Sequence, residues 1–290
     1  MKHIPAVAGL VTVAATVAAV SAVALPSSAS ARTTAPTAHT VARTVAATGP
    51  KPTIVLVHGA WADASSWGPV IERLQRAGYT VDAPPNPLQG LAYDSSYIAS
   101  YLQQIKGPVI LVGHSYGGAV ITDAAAGDAS VKALVYIAGW APAQGETLES
   151  LISSPLGEQI PALPVVATSY PVLGSATPGT ELTINPAGYP SAFLDNELPA
   201  YEEDALAAEQ RPLSTSALTE ASGTPAWQTI PSWYMVANQD RAIAPNLERF
   251  MAARMHAHTV DVNGPHLIML TDPGAVTRLI EEAATATTGR

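Results

Sequence analysis

The sequence predicts an α/β fold: a mostly parallel, doubly wound sheet of about six strands, with a cap inserted between the fourth and the fifth. Two observations carry the sheet and a third carries the cap. Short runs rich in β-branched and aromatic residues recur at 53–57 (TIVLV), 79–83 (YTVDA), 109–113 (VILVG), 133–138 (ALVYIA), 232–236 (SWYMV) and 258–262 (HTVDV), each of strand length. Helical patterns fall between most of them, and such alternation implies parallel strands covered on both faces. The interval 140–231 breaks that rhythm. It separates the fourth strand from the fifth by 92 residues and holds 12 of the 25 prolines.

Ahead of the first strand the chain reads differently. Lys2 and His3 precede an apolar run over 4–25, followed by Ala29-Ser30-Ala31, a small-x-small cleavage site. This predicts a secretory signal peptide over 1–31, cut after Ala31, and a secreted protein. The run is 22 residues long, so an uncleaved membrane anchor is the competing reading. Residues 32–50 contain six Thr and five Ala and no large apolar side chain beyond valine, which predicts a disordered Ala/Thr-rich linker, because nothing there offsets the entropy of ordering. Residues 51–290 then form one domain with its own core, the cap at about 140–231 included.

Within that domain, the helical pattern at 67–77 stops at Gly78, a C-cap residue, and Tyr97, Ile98, Tyr101, Leu102 and Ile105 trace an apolar stripe before Gly107. Leu247, Phe250 and Met251 do the same after Pro245, and Val276, Leu279 and Ile280 near the C-terminus. Inside the cap, 197–210 (ELPAYEEDALAAEQ) predicts an acidic helix and 160–178 an irregular, proline-stiffened segment. A loop that long in a compact domain is a lid or binding segment, or else a surface excursion away from the site.

Composition narrows the partners. The formal charge is −9, with 14 basic and 23 acidic residues, which argues against nucleic acid. No polybasic run points to a stable membrane partner once the signal is removed. Cysteine is absent, so thiol nucleophiles, thiolate metal sites and disulfides are excluded. His256 and His258 lack a companion ligand set, and no metal is expected. Oligomeric state is not encoded in any of these features.

Chemistry concentrates where strands end, since ligands of such sheets bind at the carboxyl ends of the strands. Gly113-His114-Ser115-Tyr116-Gly117 places a serine between glycines where the third strand turns into a helix, the setting of an exposed nucleophile. A serine hydroxyl needs a base and a carboxylate to orient that base. Asp240 follows the fifth strand and His266 the sixth, in the chain order expected for loops that meet above a parallel sheet. Asp240 has a second reading as a cap of the helix near Pro245, and His266 as an ordinary loop histidine. Asp261 within a strand, Asp272 at a helix start and Glu146 far past the fourth strand are poorer candidates. Two amides are expected to form an oxyanion hole, those of Ala60 in the loop after the first strand and of Tyr116 after the nucleophile. His58 is expected to brace that loop, and His114 to pack near the top of the sheet. Trp61, Trp140 and Leu267, with Tyr116, read either as the wall of an apolar substrate pocket or as core.

With VHGAW after the first strand, GHSYGG at the turn, Asp240 and His266, the chain resembles the α/β-hydrolase superfamily over roughly residues 52–284. Within it, the chain looks like the compact branch of methylesterases, bacterial esterases and hydroxynitrile lyases. The resemblance implies a Ser115-Asp240-His266 triad, no cofactor, a cap over the acyl and alcohol pockets, and a small-molecule ester as substrate. Lyases of the branch carry a lysine beside the catalytic histidine and a hydroxyl in the oxyanion loop, whereas Leu267 and Ala60 stand here. The implied activity is therefore that of a secreted serine esterase acting through an acyl-enzyme. A cofactor-free perhydrolase or haloperoxidase-like activity on the same triad, and a non-catalytic ligand-binding protein on the same fold, stand as alternatives.

Overall fold

The computed structural model describes residues 51–288; the expected signal peptide, cleavage site and linker lie outside them. The chain opens with β1 (Thr53–Val57), α1 (Gly68–Arg76), β2 (Thr80–Asp82), α2 (Leu91–Leu102), β3 (Val109–His114), α3 (Tyr116–Ala124) and β4 (Val131–Ile137). The cap follows as α4 (Leu148–Ile152), β5 (Val165–Tyr170), β6 (Gly179–Ile184), α5 (Tyr189–Phe193), α6 (Ala200–Glu209), β7 (Leu213–Ser214) and α7 (Ser216–Thr219). The chain then returns through β8 (Ser232–Ala237), α8 (Pro245–Arg254), β9 (His258–Val262), α9 (Ile268–Thr271) and α10 (Pro273–Thr288).

The main sheet has six parallel strands in the order β2-β1-β3-β4-β8-β9. Every residue of β3 and β8 is buried, which is why these strands are continuous apolar runs rather than alternating ones. The edge strand β9 faces water along most of its length and carries His258, Thr259 and Asp261 accordingly. Proline opens α8 and α10 at their first positions, where its missing N–H removes a donor that would have no partner.

Two helices pack differently from their sequence patterns. On α2 the buried positions are Leu91, Asp94, Ser95, Ile98 and Leu102, while Tyr97 turns outward. On α8 they are Leu247, Glu248, Met251 and Ala252; Phe250 is 45% exposed. In both helices a carboxyl side chain takes an inner position and an aromatic ring goes to the surface.

The cap supplies a further correction. Residues 160–178, expected to be irregular, contain β5, which pairs antiparallel with β6 over six residue pairs, and β6 pairs with β7. Val165 to Ser169 are exposed, so β5 lacks the half-buried alternation that betrays a strand in sequence, and its backbone pairing with β6 defines it instead. The acidic helix expected at 197–210 is α6.

Candidate active site

Ser115 sits between β3 and α3 with φ 51° and ψ −125°, a strained conformation for a residue other than glycine. The surrounding backbone holds it there. Its N–H donates to the carbonyls of Ile137 (3.3 Å) and Ala138 (3.2 Å), and its own carbonyl accepts from Gly118 (2.9 Å) and Trp140 (3.0 Å). The flanking glycines are required by close approach: a Cβ at Gly113 would lie 2.5 Å from the Gly117 carbonyl oxygen, and one at Gly117 would lie 2.4 Å from that of Val57. The turn therefore packs backbone against backbone and leaves the Ser115 side chain at the carboxyl end of the sheet.

The loop after β1 runs against this turn. A Cβ at Gly59 would lie 2.6 Å from Ser115 Cβ, so only glycine allows the next residue, Ala60, to approach the nucleophile. The amides of Ala60 and Tyr116 donate to no protein acceptor among the described residues. Trp61 continues the loop in the left-handed region, φ 54°. His58 braces the loop from below. It is buried; its Nδ1–H donates to the Gly59 carbonyl (2.9 Å) and its Nε2 accepts from the Asn86 amide (2.9 Å), while Asn86 Nδ2 donates to the His58 carbonyl (3.0 Å). Burial keeps this imidazole neutral down to about 4, which fits a structural brace.

Asp240 and His266 meet beside the turn. His266 Nδ1 lies 2.5 Å from Asp240 Oδ2, and both side chains are almost wholly buried. Asp240 Oδ1 accepts from the amides of Ala242 (2.6 Å) and Ile243 (2.8 Å). Asp240 thus caps the turn leading to α8 with one oxygen and orients the imidazole with the other; α8 itself has no side-chain cap. With Nδ1–H donating to Asp240, Nε2 is the free acceptor of the ring. Neither Ser115 Oγ nor His266 Nε2 has a hydrogen-bond partner among the described residues, and catalytic contacts of this kind tighten when substrate is bound.

His114 links the two halves. Its Nε2–H donates to the His266 carbonyl (3.0 Å), and its ring centroid lies 4.7 Å from that of His266. Burial pushes its pKa well below the usual imidazole value, so it acts as a neutral spacer. Phe193, on α5 of the cap, packs on the other side of the His266 ring at 5.5 Å. The Tyr116 ring turns into the core, where its hydroxyl donates to buried Asp94 (2.7 Å), leaving only its amide at the site.

Ala60, Trp61, Ser115, Tyr116 and Trp140 line one crevice of about 40 Å³. That crevice shares walls at Trp61, Trp140, Leu163 and Ile243 with a cavity of about 440 Å³ beneath the cap, apolar apart from Glu158. Leu267 stands elsewhere. After His266 the chain turns into α9, the Leu267 N–H is taken by the Phe193 carbonyl (2.9 Å), and its side chain borders a separate space of about 10 Å³ beside Tyr189 and Leu206. Asn86, Asp94 and Phe193 support the site yet carried no local signal in sequence, because each is joined to it only by the fold. Among the described residues, no group of three or more His, Asp or Glu side chains is arranged to hold a metal ion.

This constellation of turn, crevice and acid–base pair has known counterparts. The alpha/beta hydrolase family model matches residues 54–279. The chain belongs to that family. A carbendazim hydrolyzing esterase of Nocardioides sp. (strain SG-4G) is 32% identical over 121 residues, which are 37% of this chain and half the length of that relative. Polyneuridine aldehyde esterase has a similar fold at a TM-score of 0.68 and 19% identity, with 80% of this chain and 98% of that one covered. A pyrethroid hydrolase from Sphingobium faniae JZ-2 gives 0.63 and 21%, with 81% and 98% covered.

Proposed function

We propose that this alpha/beta hydrolase is a secreted serine esterase that cleaves carboxylic esters through an acyl-enzyme. The observation that carries the reading is the buried Asp240–His266 pair, at 2.5 Å, set beside a strained serine that two unused amides approach. Ser115 Oγ attacks the ester carbonyl carbon while its proton passes to His266 Nε2, and Asp240 stabilises the resulting imidazolium. The carbonyl oxygen, now an anion, is held by the Ala60 and Tyr116 amides. Collapse of the intermediate expels the alcohol, which takes the proton from Nε2. A water molecule then gives its proton to His266 and attacks the acyl carbon, and Ser115 leaves with that proton restored. Every step uses side chains of this chain alone.

The cap cavity points to the kind of ester. An apolar space of about 150 Å³ holds one benzene ring, so about 440 Å³ has room for roughly two or three. The crevice at Ser115 is narrow. A substrate with one bulky, uncharged apolar group and one small group fits this asymmetry, and the esterase and hydrolase names of the relatives agree with ester chemistry. Export rests on the N-terminal sequence, and N-terminal sequencing of the protein recovered from the medium should begin at Arg32.

The decisive experiment combines a fluorophosphonate probe with Ser115→Ala. The wild type should be labelled stoichiometrically and should turn over esters; the variant should do neither, with turnover lower by several orders of magnitude. Retention of turnover by Ser115→Ala would show the mechanism to be wrong, and ligand binding without labelling or turnover in the wild type would replace the enzyme with a binding protein.

A further inference from the structure

Glu248 on α8 is wholly buried, and the mechanism above does not use it. Its surroundings hardly stabilise an anion. Oε2 accepts one long hydrogen bond from the Ala237 amide (3.4 Å), and Oε1 has no protein hydrogen-bond donor. The charged and titratable groups around it are few: Asp240 on the loop after β8, which lies within hydrogen-bonding reach, Tyr234 on β8, and Arg249 on its own helix. The Tyr234 hydroxyl is already donated to the Gly139 carbonyl. Arg249 faces outward and pairs with Asp261 and Asn238.

Two carboxyl groups in contact cannot both be ionised without strong repulsion, so one of them carries a proton. The hydrogen bonds decide which. Asp240 accepts from three N–H groups, of Ala242, Ile243 and His266, and each favours its carboxylate form. Glu248 accepts only the long one. The proton therefore belongs on Glu248, in keeping with burial and the neighbouring Asp240 charge, which push its pKa well above the usual carboxylic range. A protonated Glu248 has an O–H to give, and a carboxylate has about four acceptor sites, of which Asp240 uses three. The apparently orphaned Oε1 is accounted for as that hydroxyl.

We propose that Glu248 is a positioning residue of the triad: a neutral carboxylic acid whose O–H donates to Asp240, fixes that carboxylate toward His266 and tempers its charge. The proposal rests on the triad assignment above. A carboxylate that gives part of its charge to a second donor holds an imidazolium less tightly, so His266 sheds its proton at lower pH and is available as a base over a wider range.

The test compares Glu248→Met, which keeps volume and removes the donor, with Glu248→Gln, whose amide keeps one. In Glu248→Met the acid limb of the kcat/KM profile should move up by about one pH unit, a roughly tenfold loss at pH values well below it. The alkaline plateau should change far less. Glu248→Gln should restore the wild-type limb. A limb that moves down in both variants would mean that Glu248 is an anion, and an unmoved limb in folded Glu248→Met would mean a purely structural role; either overturns the proposal. Infrared spectra give a second reading that needs no turnover and survives a misfolded Met variant. The wild type should show a protonated-carboxyl stretch at neutral pH that is missing from Glu248→Gln, and absence of that band from the wild type also overturns it. Because the band is read without substrate, failure of the esterase assignment and failure of this proton assignment are separable.

Discussion

Gly59→Ala is the sharpest probe of the site because its consequence can be worked from distances. The added Cβ would lie 2.6 Å from Ser115 Cβ and 3.0 Å from both the Nδ1 and the carbonyl oxygen of His114, against an ordinary contact of at least 3.4 Å. Relief requires a displacement of about 0.8 Å, the difference between 3.4 and 2.6 Å. None of the three opposing atoms is the free end of a flexible side chain, so the loop carrying Gly59 must move, and the amide of Ala60 moves with it. A donor set near 2.9 Å from the oxyanion would then stand at roughly 3.7 Å, beyond a hydrogen bond. Loss of one oxyanion donor costs about 10²–10³ in kcat, and KM should change little because the interaction forms in the transition state. The assay is kcat and KM on a small ester, with circular dichroism to confirm folding. Gly68→Ala is the control, since a Cβ there meets nothing within 4 Å. A folded Gly59→Ala enzyme with wild-type kcat would refute the placement of the Ala60 amide in the oxyanion hole.

The other predictions concern what holds the site in place. His58 titrates near 4 in the folded protein against an ordinary 6.5; between those values the unfolded chain binds a proton that the folded one refuses, so its contribution is lost as pH falls from about 6.5 to 4, by about 3 kcal/mol in all. Urea unfolding at pH 7 and pH 4 should show the stability gap between wild type and His58→Gln narrowing by that order; parallel pH dependences would contradict the brace. Trp61→Phe removes the Nε1–H that the Leu182 carbonyl of β6 accepts at 2.8 Å. Leaving that buried acceptor unpaired should cost about 1–3 kcal/mol, seen as a lower Tm, and an unchanged Tm would show that this bond does not secure the cap.

The parallel sheet was legible because each of its inner strands must be apolar on both faces, and a run such as 109–113 announces that without reference to its neighbours. Candidate site residues were legible for a related reason: a parallel sheet puts function at its strand ends, so Ser115, Asp240 and His266 could be read from their places after β3, β8 and β9. The cap strands were not legible, since β5 exposes nearly all its side chains and is specified by backbone pairing with β6. Leu267 was drawn to the substrate wall by its position next to His266, yet α9 begins there and turns the side chain away. Glu248 shows the opposite failure. An acid in the first turn of a helix reads as a partner of the helix dipole at the surface, and only the packing of α8 beneath the Asp240 loop reveals that it is buried.

The cap also bears on how substrate reaches Ser115. Trp61 Nε1–H donates to Leu182 of β6, Tyr189 of α5 donates to the Trp61 carbonyl, and the Leu267 amide donates to Phe193 of α5. These bonds tie the cap to the oxyanion loop and to the residue beside His266, while the Phe193 ring covers the His266 imidazole. Lifting the cap as a rigid lid would break all of them, and at about 1–3 kcal/mol for each buried group left unpaired the opened state would be rare. It would also disturb the loops that the chemistry needs in place. The cavity wall offers another route: Ile152 and Val165 line it and are 43% and 48% exposed, so the space beneath the cap already opens to solvent between α4 and β5. Substrate therefore enters from the side, with its apolar group following the exposed edge of the cavity inward, and the same cap contacts that keep the site ordered leave this entrance to select what can reach the serine.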